Sequence, residues 1–417
     1  MNGGQTGRIA MSRIAYESLG SKKVRYTCLF IADVPTKGGA TESMIRLILE
    51  LRERYNVRSI VCTAQHSDLN KRLDSLGIEN HVTLHSQFLI APPALAIKRP
   101  FTLLKAFIAY RQSFTESIKK AEEAIDFSQV DIIHSNLPRT DLGEELARRH
   151  QLPHICHLRE FSFEDFHCVS FRRKPGKYLS DHSTQLVAVS QAVKAAWERR
   201  GVAKGKIQVV YNGVETAQYA HAAALTERQS PSDTGAIKCV FLGGCSEAKG
   251  VWDAVKAVEH FDSSKKISLD IYGGDSRTTI TKVRTYIRLR GLKDRISVLD
   301  RVSDIADKLG KYNIALVCSR SEGFGRVVIE YQAAGVPVIA ANTGGLPELI
   351  RDGENGLLYD KKVGWISLKK RILSLSESPS LWTIIRKGGL ESAQEFTASK
   401  NADEIFKIYQ HVMGMGN

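Results

Sequence analysis

Short apolar segments alternate with longer amphipathic segments over nearly the whole sequence. The first repeat reads YTCLFIA at 26–32, a helical pattern from about Thr41 to Tyr55, and VRSIVCTA at 57–64. Strands joined by helices in this way pair in parallel, and helices cover both faces of the resulting sheet. The alternation therefore predicts an α/β chain built on doubly wound parallel sheets.

The alternation runs in two series, which predicts two domains for a chain of this length. The first series continues with strands at 131–136, 153–158 and 185–190. It restarts after the turn-like segment 211–214 with five strands at 237–244, 267–274, 296–300, 314–319 and 336–341. We predict a polar leader at 1–23, an N-terminal domain at 24–211, a C-terminal domain at 212–397, and a helix at 398–417 that packs back on the N-terminal domain.

The formal net charge is +14, and most of the excess lies in the first half, where 31 Lys and Arg stand against 21 Asp and Glu in residues 1–210. A basic surface favours nucleic acid, an anionic membrane or a phosphorylated substrate, and the sign of the charge does not choose among them. The sequence has no apolar run of the roughly 20 residues that would span a bilayer. Its seven cysteines are scattered without a CxxC pair, which predicts reduced core residues of a cytoplasmic protein.

The densest group of candidate residues follows the strand that ends at Ser319. A loop of Glu322, Gly323, Phe324 and Gly325 leads into a helix that begins near Arg326 and carries Glu330. The glycines permit close approach of the backbone, and the N-terminus of the helix suits a phosphate. One glutamate can hold sugar hydroxyls and the other a ribose, so the pattern favours a nucleotide-sugar donor.

The segment SRSEGFGRVVIEYQAAGVPVIAANTGGLPELI at 319–350 resembles the family 4 retaining glycosyltransferases of the GT-B fold. Further marks of that family follow the same order along the chain, and they are Gly38-Gly39, Asn212-Gly213-Val214-Glu215, Lys249-Gly250, Gly344 to Glu348 and Asp352 to Gly356. The resemblance covers about residues 24–400. It implies two Rossmann-like domains that face each other across a cleft.

The resemblance also implies roles for individual residues. Glu322 would contact the transferred sugar, Glu330 the ribose and Lys249 the diphosphate, while Gly39 would leave room for the donor phosphates. The remaining donor-site candidates are Gly38, Asn212, Gly243, Gly244, Gly273, Arg301, Gly323, Phe324, Gly325, Arg326 and Val327. No metal and no cofactor are expected, because lysine and helix dipoles can stabilise the leaving diphosphate.

The sequence departs from the family pattern at two places. Gly244 stands where the family usually has arginine, so Arg301 or Arg320 would have to replace that cation, or the donor is held weakly. Arg159 stands where many relatives have a histidine. We assign it to the catalytic residues beside Glu322 and Lys249 and, with Glu160 as its orienting partner, to the acceptor site. A structural salt bridge of Arg159 with Glu160 or Glu164 is the alternative.

Other features leave alternatives open. His134 is a weak acceptor-site candidate that equally fits packing at a strand end. Gly273-Gly274-Asp275 resembles a nucleotide-binding loop, but it lacks the third glycine of a dinucleotide-binding fingerprint. An NAD-type cofactor site is therefore not favoured there. Residues 86–115, together with basic residues at 172–177, are apolar and basic, which fits either a surface for anionic lipid or core helices of the acceptor domain.

These observations predict a retaining hexosyltransferase that moves sugar from a UDP-sugar, or less readily a GDP-sugar, to a saccharide or lipid-linked acceptor. We expect it in cell-surface polysaccharide or glycoconjugate synthesis, in the cytoplasm and peripheral on the inner face of the membrane, with no nucleic-acid partner. A nucleotide-sugar epimerase on the same fold and a non-catalytic or weakly catalytic binding subunit are the competing hypotheses.

Overall fold

The structure is a computed structural model that describes residues 26–32, 38–92, 98–224, 230–273, 277–302 and 305–414. The predicted polar leader at 1–23 lies outside these described residues. The chain divides into two compact units. Unit 1 consists of the described residues of Met1–Tyr211 and Ser399–Asn417, and unit 2 consists of those of Asn212–Ala398.

Unit 1 is built on a seven-stranded parallel sheet in the order β3-β2-β1-β5-β6-β8-β9, with a separate antiparallel pair, β4 and β7. Every residue of β1 is buried, since the strand has a neighbour on each side and is covered on both faces. The strands are β1 (Tyr26–Ala32), β2 (Val57–Thr63), β3 (Glu79–Val82), β4 (Leu89–Ile90), β5 (Ile132–Ser135), β6 (His154–Leu158), β7 (Val169–Ser170), β8 (Gln185–Ala188) and β9 (Ile207–Val209).

Unit 2 is built on a six-stranded parallel sheet in the order β12-β11-β10-β13-β14-β15. Its strands are β10 (Ala236–Phe241), β11 (Lys266–Tyr272), β12 (Ile296–Leu299), β13 (Ile314–Val317), β14 (Val338–Ala341) and β15 (Leu357–Tyr359). The first five were predicted from the sequence. The sixth was missed because a run of three residues is too short to show a strand pattern.

The α-helices of the described residues, in chain order, are α1 (Gly39–Tyr55), α2 (Asp68–Ser75), α3 (Arg99–Ala124), α4 (Leu142–His150), α5 (Pro175–His182), α6 (Gln191–Arg199), α7 (Ala220–Ala224), α8 (Pro231–Thr234), α9 (Val251–Glu259), α10 (Arg277–Leu289), α11 (Ile305–Lys308), α12 (Arg326–Ala333), α13 (Leu346–Leu349), α14 (Trp365–Ser376), α15 (Pro379–Ala393) and α16 (Ala398–Val412). Within that set, none is long and apolar enough to cross a membrane.

The last helix, α16, contributes to the core of unit 1 although it is far away in sequence. Phe406 stacks on Tyr55 with 3.8 Å between ring centroids, and Tyr409 is buried among the strands. The Tyr409 hydroxyl lies 3.4 Å from the Cys28 sulfur. The chain therefore returns to unit 1 after building unit 2, and its C-terminal helix fills part of the core there.

The two parallel sheets with covering helices confirm the α/β architecture predicted from the alternation. Several predicted strands extend one to three residues too far at their carboxyl ends, because the first residues of the following loops, including Gly243-Gly244 and Gly273, were counted with them. All seven cysteines are free and buried. Carboxyl ends of the parallel strands in each unit share one edge of the sheet, where ligand sites of such folds form.

Candidate functional site

Three loops meet at the carboxyl edge of the sheet in unit 2. They follow β10, β13 and β14 and lead into α9, α12 and α13, respectively. The Arg320 amide donates to the Ala248 carbonyl over 2.9 Å, and the Gly345 amide donates to the Glu322 carbonyl over 2.8 Å. These backbone hydrogen bonds join the second loop to the first and to the third.

Gly250 shows why the first loop needs glycine beside its lysine. Its φ is +72°, and a Cβ added there would lie 1.9 Å from the carbonyl oxygen of Cys318 at the end of β13. No other residue fits that approach without moving the backbone. Glycine at 250 therefore allows Lys249 to lie against the loop that follows β13.

Lys249 and Glu322 form an ion pair, with 2.8 Å between Nζ and Oε2. The Ser319 hydroxyl donates to the same carboxylate oxygen over 2.9 Å. The Lys249 side chain is 38% exposed and that of Glu322 is 17% exposed. The pair therefore combines a carboxylate held in one position with a lysine side chain that is partly exposed to solvent.

Glu330 lies on the second turn of α12, as predicted. Its carboxylate approaches Arg326 on the same helix, with 3.5 Å between Oε1 and Nη2. Tyr219, which belongs to the 3-10 helix Ala217–Tyr219, was not among the residues predicted for the site. Burial raises the pKa of Tyr219, and the charge of Glu330 raises it further. The 3-10 helix packs against α12, and the raised pKa keeps Tyr219 neutral.

The loop after β10 has an unusual backbone where the family arginine is missing. Gly243 and Gly244 have φ values of +105° and +96°. A Cβ on Gly273 would lie 2.7 Å from the Gly244 Cα, so the two loop backbones are in close contact. Arg301 follows β12 and is exposed, as is Arg320 after β13. Replacement of the missing cation by either of them stays a prediction.

Most of the other donor-site candidates in unit 2 are buried. The Phe324 ring is buried against Phe396, with 5.9 Å between centroids. Gly323 and Gly325 are buried beside it, Val327 is half-buried, and Asn212 is buried at the start of unit 2. In unit 1, Gly38 caps α1, which begins at Gly39. Gly274 and Asp275 lie outside the described residues.

A second cluster beside Lys249 was missed by the sequence analysis. Lys361, two residues after β15, donates to Asp253 Oδ2 over 2.6 Å and to the Cys318 carbonyl over 2.7 Å. The Tyr359 hydroxyl donates to the same Asp253 oxygen over 3.0 Å. This cluster links the ends of β13 and β15 to the first turn of α9, which Gly250 precedes. Lys361 therefore helps to position the loop that carries Lys249.

The carboxyl edge of the sheet in unit 1 holds two buried arginines. Glu160 accepts two hydrogen bonds from Arg139, from Nε over 2.6 Å and from Nη2 over 2.9 Å. Arg159 Nε instead donates to Asn136 Oδ1 over 2.8 Å. The prediction that Glu160 orients Arg159 is wrong, because β5 and β6 are neighbours and bring Arg139 to that carboxylate.

Glu164, the other partner predicted for a structural salt bridge with Arg159, pairs with Arg200 over 2.5 Å. His134 is fully buried. Its Nδ1 lies 2.7 Å from the Tyr409 hydroxyl, and its Nε2 lies 3.3 Å from His157 Nδ1. Burial holds the pKa of His134 well below its usual value. The imidazole is therefore a neutral core group at a strand end, and we leave it out of the acceptor site.

Two family models match the chain one after the other. The model for Glycosyltransferase Family 4 matches residues 37–218, and the model for Glycosyl transferases group 1 matches residues 224–405. Two Rossmann-like α/β units with these loops define the class as glycosyltransferases of the GT-B fold. The chain belongs to the group 1, family 4 glycosyltransferases.

Curated relatives agree with this assignment. The chain is 28% identical over 298 residues to the uncharacterized glycosyltransferase MJ1178 of Methanocaldococcus jannaschii, covering 70% of this chain and 79% of that protein. It is also 28% identical over 327 residues to the D-inositol 3-phosphate glycosyltransferase of Acidothermus cellulolyticus, covering 72% of this chain and 71% of the relative.

Solved structures show the same fold at low identity. Anabaena Alr3699/HepE, crystallised in complex with UDP, matches with a TM-score of 0.72 at 19% identity, over 92% of this chain and 100% of that one. A glycosyltransferase from Rickettsia africae matches with a TM-score of 0.74 at 20% identity, over 94% of this chain and 100% of that one.

Proposed function

We propose that this chain is a retaining hexosyltransferase that takes its sugar from a UDP-sugar and transfers it to a saccharide or lipid-linked acceptor. The observation that carries the proposal is the Lys249–Glu322 pair, held where three strand-following loops of unit 2 meet. Such an arrangement can receive a diphosphate on the ammonium group and sugar hydroxyls on the carboxylate. UDP is favoured because Anabaena HepE has been crystallised with UDP and with UDP-glucose.

In this proposal Lys249 stabilises the charge that develops on the leaving diphosphate, assisted by the N-terminus of α12. Glu322 positions the sugar, and Glu330 accepts hydrogen bonds from the ribose. The acceptor hydroxyl attacks from the face that the diphosphate leaves, and a donor phosphate oxygen takes its proton. Neither a metal nor a cofactor takes part. Catalysis then depends on charge and orientation and not on a protein nucleophile.

We place the acceptor at the carboxyl edge of the sheet in unit 1, with Arg159 as its contact. Relatives named D-inositol 3-phosphate glycosyltransferase have a phosphorylated acceptor in their name, which supports an anionic group there. Arg159 is buried and already fixed by Asn136, so its guanidinium is preorganised for an anion. We further propose a cytoplasmic enzyme of polysaccharide or glycoconjugate synthesis.

The first test is thermal stabilisation by UDP, GDP, ADP and their sugar conjugates. A ligand at 100 times its dissociation constant stabilises the folded state by about 2.7 kcal/mol, which a thermal melt resolves. We expect UDP compounds to raise the melting temperature, which we call the UDP shift. Lys249→Ala should abolish it. Lys256→Ala, an exposed lysine on α9, is the matched control and should keep the shift. If no nucleotide shifts the melt, the donor proposal fails and the binding-subunit hypothesis replaces it.

A further inference from the structure

The first half of α3 leaves an apolar face uncovered. No residue of 99–109 is buried, whereas the buried residues of this helix begin at Tyr110. Phe101 is 72% exposed, Leu104 is 59% exposed and Ile108 is 45% exposed. We call these three residues the α3 stripe. Single exposed apolar side chains are ordinary, but three large ones close together on one helix indicate an interaction surface.

The α3 stripe faces away from the rest of unit 1. At about 100° per residue, Phe101, Leu104 and Ile108 fall within an arc of about 60°. The buried positions of the same helix, Tyr110, Ser117, Ile118 and Ala121, centre about 130° away from that arc. The helix is therefore attached to unit 1 along one face and by its second half, and it presents the stripe outward.

The surroundings of the stripe are positively charged. Residues 86–115 contain Lys98, Arg99, Lys105 and Arg111 and no acidic residue. On the helix, Lys105 lies on one side of the stripe and Arg111 on the other, each within about 60° of it. The Phe107 ring contacts that of Phe171, with 5.4 Å between centroids. That contact brings the exposed Arg173 and Lys174 next to the middle of α3.

We propose that the α3 stripe and its basic border dock the enzyme on an anionic lipid bilayer. Bulky apolar side chains bordered by cations, with no acid among them, match a surface of acyl chains beneath anionic head groups. A protein groove of opposite charge is a different partner and is an outcome of the test. This proposal rests on the proposed function in one respect, namely that docking brings unit 1 to lipid-linked acceptors. Residues 93–97 lie outside the described residues and have no part in it.

The test is sedimentation of the full chain with vesicles of phosphatidylglycerol and phosphatidylcholine, 1:1, and of phosphatidylcholine alone. We expect binding to the anionic vesicles that weakens in high salt, because salt screens exposed charges. Lys105→Gln with Arg111→Gln should weaken binding by about 30-fold, at about fivefold per charge. The triple variant Phe101→Ser, Leu104→Ser, Ile108→Ser should weaken it at least about tenfold.

A triple variant of exposed apolar residues in unit 2, Leu289→Ser, Ile366→Ser and Ile384→Ser, is the matched control and should bind like the wild type. Equal binding of the wild type and the α3 stripe variant would overturn the proposal, as would the absence of vesicle binding. So would a wild-type dimer in light scattering that the stripe variant abolishes. The melt with UDP, run on the same variants, tests the donor site separately, since a stripe variant should keep the UDP shift.

Discussion

Lys249 Nζ lies 2.8 Å from Glu322 Oε2, which joins two residues that are 73 positions apart in the sequence. Without donor, each group satisfies the charge of the other. In the proposed mechanism, a diphosphate that binds Lys249 competes with Glu322, and the carboxylate is then released toward the sugar. The pair is partly exposed, so it contributes little to folding, and we propose that it acts on the donor.

The competition predicts opposite effects of the two residues on UDP binding. Glu322→Gln should leave UDP affinity unchanged or raise it, because the competing charge is gone. Lys249→Met should lower UDP affinity by about 10- to 150-fold, as expected for a hydrogen bond to a charged group of about 1.5 to 3 kcal/mol. Isothermal titration with UDP measures both. A similar loss of affinity in the two variants would contradict these roles.

Sugar transfer should depend on Glu322 even where binding does not. We expect Glu322→Gln to lower kcat by at least about a hundredfold, because a contact that orients the sugar in the transition state is lost. Radiolabel transfer from UDP-sugars, with UDP binding measured on the same sample, checks this. Wild-type transfer by Glu322→Gln and by Glu322→Ala with every accepted donor would refute the role.

Gly250 should tolerate no side chain. An alanine Cβ would overlap the Cys318 carbonyl, so Gly250→Ala should lower the melting temperature of unit 2 and abolish the UDP shift. Gly291→Ala is the matched control, since Gly291 has a φ of +66° but nothing within 4 Å of an added Cβ. It should cost only about 1 to 2 kcal/mol of backbone strain and keep the UDP shift. Equal effects of the two variants would show that the close approach is unimportant.

Lys361 should act by position and not by contact with the donor. Lys361→Met leaves Asp253 without its cation, and we expect unit 2 to lose about 1 to 3 kcal/mol of stability and UDP to bind more weakly. Adding Asp253→Asn should restore part of the stability, because the unpaired charge is removed. Lys362→Met, on an exposed neighbour, is the control for thermal melts. No recovery in the double variant would argue against the ion pair.

Asp165 predicts a pH dependence in unit 1. Burial, and then the nearby Glu160 charge, raise the pKa of Asp165 to about 6 from an ordinary value of 3.8. A carboxyl with a raised pKa stabilises the fold fully below pH 3.8, and that contribution is lost as the pH rises through about 6. Asp165→Asn should therefore gain melting temperature relative to the wild type between pH 4 and pH 8. A constant difference over that range would contradict the raised pKa.

The sequence did not predict which charged residues of the site form ion pairs with each other. Arg159 and Glu160 are adjacent in the sequence, yet Glu160 pairs with Arg139, which is 21 positions away. Lys361 and Asp253, which form the second cluster of unit 2, are 108 positions apart. Such pairs cannot be predicted from the local sequence pattern, because they depend on which strands are neighbours in the sheet and on where each strand ends.

The sequence by itself determined the α/β class, the strands of both sheets except the short β3, β9 and β15, the loops that carry Glu322 and Lys249, and the helix that carries Glu330. Strand and helix patterns and turn glycines act through neighbours in the chain, so they can be recognised in the sequence. Only the tertiary structure decided that Glu160 pairs with Arg139, that His134 is a core residue and that half of α3 is uncovered. Burial and pairing are set by packing between distant segments, and the apolar residues of 86–115 fit a core or a surface equally well until their neighbours are known.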